Sequence, residues 1–238
     1  MNPNIAIAIL LITFVLLIMI KCPITFSMII STAFTMLYIQ VPVMTLVQQM
    51  SKQLNSFSLL AIPFFILMGE IMAAGGISSR LLAFANVCVG QITGGLAHVN
   101  VLASMLFGGI SGSAIADVSS LGALEIPMME EAGYEKDFSI AVTVASSCQG
   151  LIIPPSHNMV LYSMVAGGVS VGSLFCAGYI PGIMLGVFIM GMCYIISKKK
   201  HYPKGKKLPF KEALRVTKDT FFAMLAMVII IGGVSAGF

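Results

Sequence analysis

The chain has 238 residues, of which 58% are hydrophobic and 9% charged, with a mean hydropathy of +1.00 and a formal net charge of +4. An ordinary soluble domain carries about 25% charged residues, so the composition excludes that class and points to a polytopic, all-α protein in a lipid bilayer. A nucleic-acid-binding surface is excluded too, because nine of the thirteen Lys and Arg residues sit in one stretch, Lys198–Lys218.

Ile5–Ile20 reads as the first spanning helix. No A-x-A-like cleavage site follows it, so it is expected to be retained rather than removed as a signal peptide. Lys21-Cys22-Pro23 breaks it, Ile24–Tyr38 returns, and Pro42 stops the second helix. Val43, Leu46, Val47, Met50 and Leu54 then recur at helical spacing opposite Gln48, Gln49, Lys52, Gln53 and Asn55. That pattern is an amphipathic helix, either in the membrane interface or against a neighbouring subunit. Leu59–Ala73 spans next, with Glu70 near its far end, Gly75-Gly76 ends it, and Ser79–Val89 is a short helix.

Phe107–Pro127, FGGISGSAIADVSSLGALEIP, crowds Gly, Ser, Ala and one Asp into an apolar setting. The apolar flanks Val99–Phe107 and Leu121–Pro127 are each about half the ~20 residues a crossing needs. The expectation is a re-entrant helical hairpin with its tip at Ser111, Gly112 and Ser113. Non-helical backbone at membrane depth survives only where protein buries it or it lines a wet cavity. After a charged loop, Glu130–Asp137, comes a second unusual element. Phe138–Val165 is long enough to span but is interrupted by GLIIPPS at 150–156. Two successive prolines remove amide donors and forbid a continuous helix. Leu174–Ser197 spans again and carries Gly182-xxx-Gly186, a close-packing signal. Thr220–Gly237 reads as a last span.

The basic stretch should be cytoplasmic. Counting back gives five full crossings and one hairpin before Lys198, with the N-terminus outside. An odd number of crossings flips whatever follows, so a similarly built second half would be inverted, as in secondary transporters. The five cysteines lack CxxC spacing and argue against a metal centre or a disulfide framework.

Both interruptions put opposite helix ends at one point. Incoming arms end in free carbonyls, which suit a cation, and outgoing arms begin with free amides, which suit an anion. If the two faced each other, carbonyls near Cys148–Gly150 and the hydroxyls of Ser111 and Ser113 could cage Na+. A carboxylate could sit against amides near Ser156–Asn158. Hard cations take oxygen ligands and need no His or Cys. Asp117 reads either as a functional carboxylate or as a cap on the outgoing arm. Glu125 and Glu70 are expected at membrane edges. His157 is either a substrate donor or proton relay, or a packed polar residue. One alternative belongs to a different class. Gly109-Ile110-Ser111-Gly112 fits the GxSG pattern of rhomboid-type intramembrane serine proteases, with His157 as the one deep histidine available as base.

The strings FSLLAIPFFILMGEIMAAGGIS (57–78), GGLAHVNVLASMLFGGISGSAIADVSSLGALEIPMMEEAGY (94–134) and GLIIPPS (150–156) resemble the large membrane subunit of TRAP (tripartite ATP-independent periplasmic) transporters. The resemblance covers nearly the whole chain. In that family the subunit is nearly twice as long, so the chain looks like an N-terminal half. The resemblance implies a non-enzymatic permease of the bacterial or archaeal inner membrane with an elevator-type transport part and Na+ coupling. It also implies a small membrane subunit, a periplasmic substrate-binding protein and an organic-acid substrate (C4-dicarboxylate, sialic acid or sugar acid). Residues 1–95 would be scaffold helices and an interfacial arm. Residues 96–197 would be the transport part, 198–216 a basic cytoplasmic loop, and 217–238 the first helix of an inverted repeat. By motif, Ser111, Gly112, Ser113, Gly150 and Pro154 look like parts of a Na+ site. Ser113, Asp117, Ser156, His157 and Asn158 are the substrate-side candidates. Where the family often has an apolar pair after Pro-Pro-Ser, this chain has His157-Asn158.

Overall fold

The computed structural model describes residues 2–54, 57–167, 169–205 and 209–236. Among them the protein is helical, apart from an isolated bridge between Thr93 and Lys204. Asn55, Lys206, Lys207 and Gly237, and the side chains of Gln53 and Leu54, lie outside what is described.

The chain forms two compact units, residues 1–60 and 61–238. In the first, α1 (Pro3–Met19) and α2 (Ile24–Tyr38) pack together across the Lys21–Pro23 turn, and α3 (Met44–Leu54) follows. Pro3 stands in the first turn of α1, where its missing amide costs nothing, and the Asn2 side chain caps the start through Asn4 N at 3.3 Å. α1 buries none of its residues. A helix that is apolar all round and uncovered needs a nonpolar surrounding. Polar side chains on α2 bond back to their own helix: Ser27 Oγ donates to Pro23 O at 3.2 Å and Thr35 Oγ1 to Ser31 O at 2.8 Å.

The second unit receives the end of α4 (Phe57–Ala74). It continues with α5 (Ile77–Val89), α6 (Gly95–Ser111), α7 (Ala114–Ser120), α8 (Gly122–Glu131) and α9 (Lys136–Ser147). A 3-10 turn (Cys148–Leu151), α10 (His157–Ala166), α11 (Val171–Lys200) and α12 (Phe210–Ala236) complete it. α6 is its centre, burying thirteen of its seventeen residues among α5, α9 and α11. On one side Val99, Phe107 and Ile110 join Leu81, Ala85 and Leu121; on another Ala97 and Val101 join Met129, Tyr134, Cys193 and Tyr202.

Three element boundaries differ from the sequence reading. The incoming arm of the hairpin is a full helix, Gly95–Ser111, because Gly108 and Gly109 are held in helix by packing despite their low propensity. The outgoing arm divides into α7 and α8 at Leu121. α12 begins at Phe210, ten residues before the apolar run, because Lys, Glu and Arg are good helix formers and continue the same helix. Among the described residues, α11 alone is long and apolar enough by itself to cross a membrane. α4 and α5 pass the same test only as a pair, bent by 71°.

At the Lys200 end, the chain after α11 folds back as a strap. Gly94 N donates to Pro203 O at 3.1 Å, and Glu135 N donates to Tyr202 Oη at 3.3 Å. The Tyr202 ring stacks on Tyr134 at 4.4 Å between centroids, and Lys200 pairs with Glu135.

Candidate functional site

The hairpin tip is two residues long. α6 closes with Gly112 N on Gly108 O at 2.8 Å, and Gly112 itself is left-handed, φ +61. Ser113 is extended and caps α7, accepting from Ala116 N at 3.3 Å. No backbone amide beyond α6 closes on the Gly109 or Ile110 carbonyl among the described residues, so the helix ends in open acceptors, as helix C-termini do.

The second interruption follows α9. The 3-10 turn ends with Ile152 N and Ile153 N both on Gln149 O, at 3.0 and 2.8 Å. Residues 152–156 then leave helical geometry through the Pro154-Pro155 pair, and Ser156 Oγ donates to Leu151 O at 2.7 Å. Ser156 therefore spends its hydroxyl on the turn and not on α10. The His157, Asn158 and Met159 amides start that helix with no acceptor among the described residues.

The structure brings the two interruptions together. A Cβ on Gly108 would stand 2.5 Å from Gly150 Cα, and one on Gly112 would stand 2.4 Å from Pro155 O and 3.2 Å from Ser156 Cα. A Cβ on Gly150 would lie 3.7 Å from Ser113 O. The tip thus lies on the break, backbone to backbone, which only glycine permits. α11 closes the other side of the break. A Cβ on Gly178 would meet Ile152 O at 2.5 Å, and one on Gly182 would meet Ile153 Cγ1 at 2.4 Å. The close-packing reading of Gly182-xxx-Gly186 holds: Gly182 meets the break, and Gly186 meets Met105 of α6 and the Gln149 side chain.

Ser111, Gly112, Ser113, Gly150 and Ser156 are therefore neighbours, and Pro154 is next in the chain to Pro155, which the tip touches. His157 lies against the Ser111 backbone, half-buried, with Nε2 unpartnered, and Asn158 is exposed beside it. Asp117 is not the cap of α7, a role taken by Ser113. Its side chain is 1% exposed and lies against Ser104. Glu125 is 2% exposed, with no hydrogen-bond partner for its carboxyl oxygens among the described residues. Glu70 is exposed.

Several buried polar residues had no sequence signal. Asn100 Nδ2 donates to Thr143 Oγ1 at 2.7 Å, and Ser146 Oγ donates to Asn100 Oδ1 at 2.7 Å. Gln149 Nε2 donates to Val101 O at 3.4 Å. Their partners lie more than forty residues away, so no local pattern marks them.

The protease reading is not supported. Ser111 Oγ donates to Ser113 O at 3.5 Å, and His157 Nε2 takes no part in a Ser–His bond. A nucleophilic serine needs such a base.

Comparison with known proteins agrees with the motifs. Residues 11–238 match the family described as tripartite ATP-independent periplasmic transporter, DctM component. The chain is 41% identical over 228 residues to an uncharacterised protein, YgiK, of Salmonella typhimurium, covering 94% of this chain and 52% of that one. It is 43% identical over 216 residues to the sialic acid TRAP transporter large permease protein SiaM of Vibrio cholerae, covering 90% and 50%. It is 42% identical over 181 residues to the C4-dicarboxylate TRAP transporter large permease protein DctM of Pseudomonas aeruginosa, covering 76% and 42%. The chain spans about half the length of these relatives. By family match and by identity, it belongs to the DctM family of TRAP transporters, integral membrane permeases rather than enzymes.

Proposed function

We propose that the chain is part of the membrane permease of a Na+-coupled secondary transporter. It would import an organic acid that a periplasmic binding protein delivers, with a small membrane subunit as third component. The observation that carries this reading is the contact of the two helix interruptions, Gly108 on Gly150 and Gly112 on Pro155. Open carbonyls of one helix end lie beside the turn of another, and unpaired carbonyls in an apolar setting are costly. Na+, as co-transported cargo, relieves that cost. Ser111, Gly112, Ser113, Gly150 and Pro154 are the residues that would hold it, through backbone and hydroxyl oxygens. The substrate carboxylate belongs on the amide side, at Ser113 and at the start of α10 where Ser156, His157 and Asn158 stand. Asp117, buried beside the tip, completes the substrate-side set by supporting Ser113, whose carbonyl accepts from the Asp117 amide at 3.1 Å.

Two relatives are named for sialic acid and C4-dicarboxylates, both carboxylates, which supports an organic acid. Residues 96–197, within the compact unit 61–238, hold both interruptions and would make the moving part of an elevator. Multi-pass insertion in the inner membrane, with residues 198–218 cytoplasmic, follows from the charge asymmetry.

The test is uptake by proteoliposomes holding the complete permease, its small subunit and its binding protein. An inward Na+ gradient should drive accumulation of a labelled organic acid, and K+ in its place should not. Equal uptake with either cation would contradict the coupling.

A further inference from the structure

One face of α6 carries Asn100, Ser104 and Gly108, four residues apart, and Gly112 follows at the end of the helix. All four meet the interrupted element. Asn100 bonds Thr143 and Ser146 of α9, and Ser104 Oγ lies 3.2 Å from Ser146 Oγ. Gly108 then touches Gly150, and Gly112 touches Pro155 and Ser156. The seam runs from a polar end to a glycine end, and the glycine end is where tip meets break.

The two ends differ in what they specify. Glycine contacts permit close approach but carry no directional preference, so they do not fix how far α6 slides along α9. The Asn100 bonds do. Its side chain is 0% exposed and uses both ends of its amide. Thr143 Oγ1 accepts from it and donates on to Ser139 O at 2.9 Å. A slide of one residue, about 1.5 Å along a helix, would break both bonds and strand buried polar groups. It would also carry the tip past the break. A single buried Asn fixing helix register is a known device of paired helices.

We propose that Asn100 is a positioning residue. Its two-ended bond to Thr143 and Ser146 sets the register of α6 against α9, and so holds the Ser111–Ser113 tip opposite Gly150–Ser156, eleven residues from Asn100 itself. The proposal rests on the Na+ reading given above. It adds that the two interrupted elements keep one fixed register and move together through the transport cycle.

Two measurements test it, in the complete transporter in proteoliposomes. First, the Na+ dependence of uptake is compared for wild type, Asn100→Leu, the swapped pair Asn100→Thr with Thr143→Asn, and Ser111→Ala as a control at the tip. Asn100→Leu should raise the Na+ concentration for half-maximal uptake about tenfold, the lower end of the loss seen when an outer partner of a metal ligand is removed. The maximal rate per inserted molecule should be kept, and the swapped pair should restore the wild-type value. A residue that merely stabilises the fold would lower the amount of active protein and leave half-saturation unchanged. Second, Ser104→Cys with Ser146→Cys removes Ser146 Oγ, the donor to Asn100 Oδ1, and allows a disulfide across the seam in its place; the reduced protein should show a raised half-saturation. The oxidised protein should transport with wild-type Na+ dependence, because the register never changes. This arm decides the matter if Asn100→Leu fails to insert. Inactivation on oxidation, reversed by reduction, would overturn the proposal. Wild-type half-saturation in Asn100→Leu would overturn it too, leaving the Na+ reading intact if Ser111→Ala shifts in the same preparation. If neither variant shifts, the proposal and the Na+ reading fall together.

Discussion

Gly112 is held by two separate demands. Its φ of +61 is a conformation that costs a side-chain-bearing residue about 1–2 kcal/mol, and its Cα faces Pro155 O at a range that admits no Cβ. Gly133 is a natural control. It is also left-handed, φ +89, but a Cβ placed there would meet nothing within 4 Å. Gly112→Ala should therefore abolish uptake and lower the thermal midpoint clearly more than Gly133→Ala, which carries the conformational cost alone. Equal midpoints and equal uptake would mean the tip is not tightly seated. At this scale the sequence was partly legible. Gly112 and the serines announce themselves because small polar residues are out of place in an apolar run. Asn100 and Gln149 do not, because their meaning depends on Thr143 and Val101, more than forty positions away.

The strap after α11 shows how unequal the contacts of one element are. The Lys200–Glu135 pair is exposed, and exposed pairs contribute little. Tyr202 is 7% exposed, stacked on Tyr134 and tilted against Phe138. Tyr202→Ala should destabilise residues 61–238 by about 3 kcal/mol, the usual scale for deleting a buried aromatic, whereas Lys200→Ala should leave the midpoint unchanged. Thermal unfolding followed by cysteine-reactive dye would show it, and the reverse ranking would contradict the packing account. The elements themselves were legible wherever apolar runs and prolines bound them. Their ends were not. The apolar flank reads as ending at Phe107, but the helix runs on through Gly108 and Gly109 to Ser111, and α12 starts in a charged stretch that reads as a loop.

The whole molecule is organised by charge asymmetry and by two interruptions that meet. The first was legible because nine of thirteen cations share one stretch. Maleimide labelling of single cysteines at 198 and 135 should occur only from the cytoplasmic side, and labelling of either from outside would refute the orientation. The meeting of tip and break was an expectation conditional on facing geometry, since nothing local in either motif specifies its partner. The facing is now visible in Gly108 against Gly150 and Gly112 against Pro155. The central claim is that oxygens at this meeting point bind the driving cation. It is tested most directly by titrating Na+ against uptake for wild type and Ser111→Ala in proteoliposomes. The variant should insert normally and need about tenfold or more Na+ for half-maximal uptake, on the scale of losing a partner of a bound metal ion. Wild-type Na+ dependence in Ser111→Ala would contradict it.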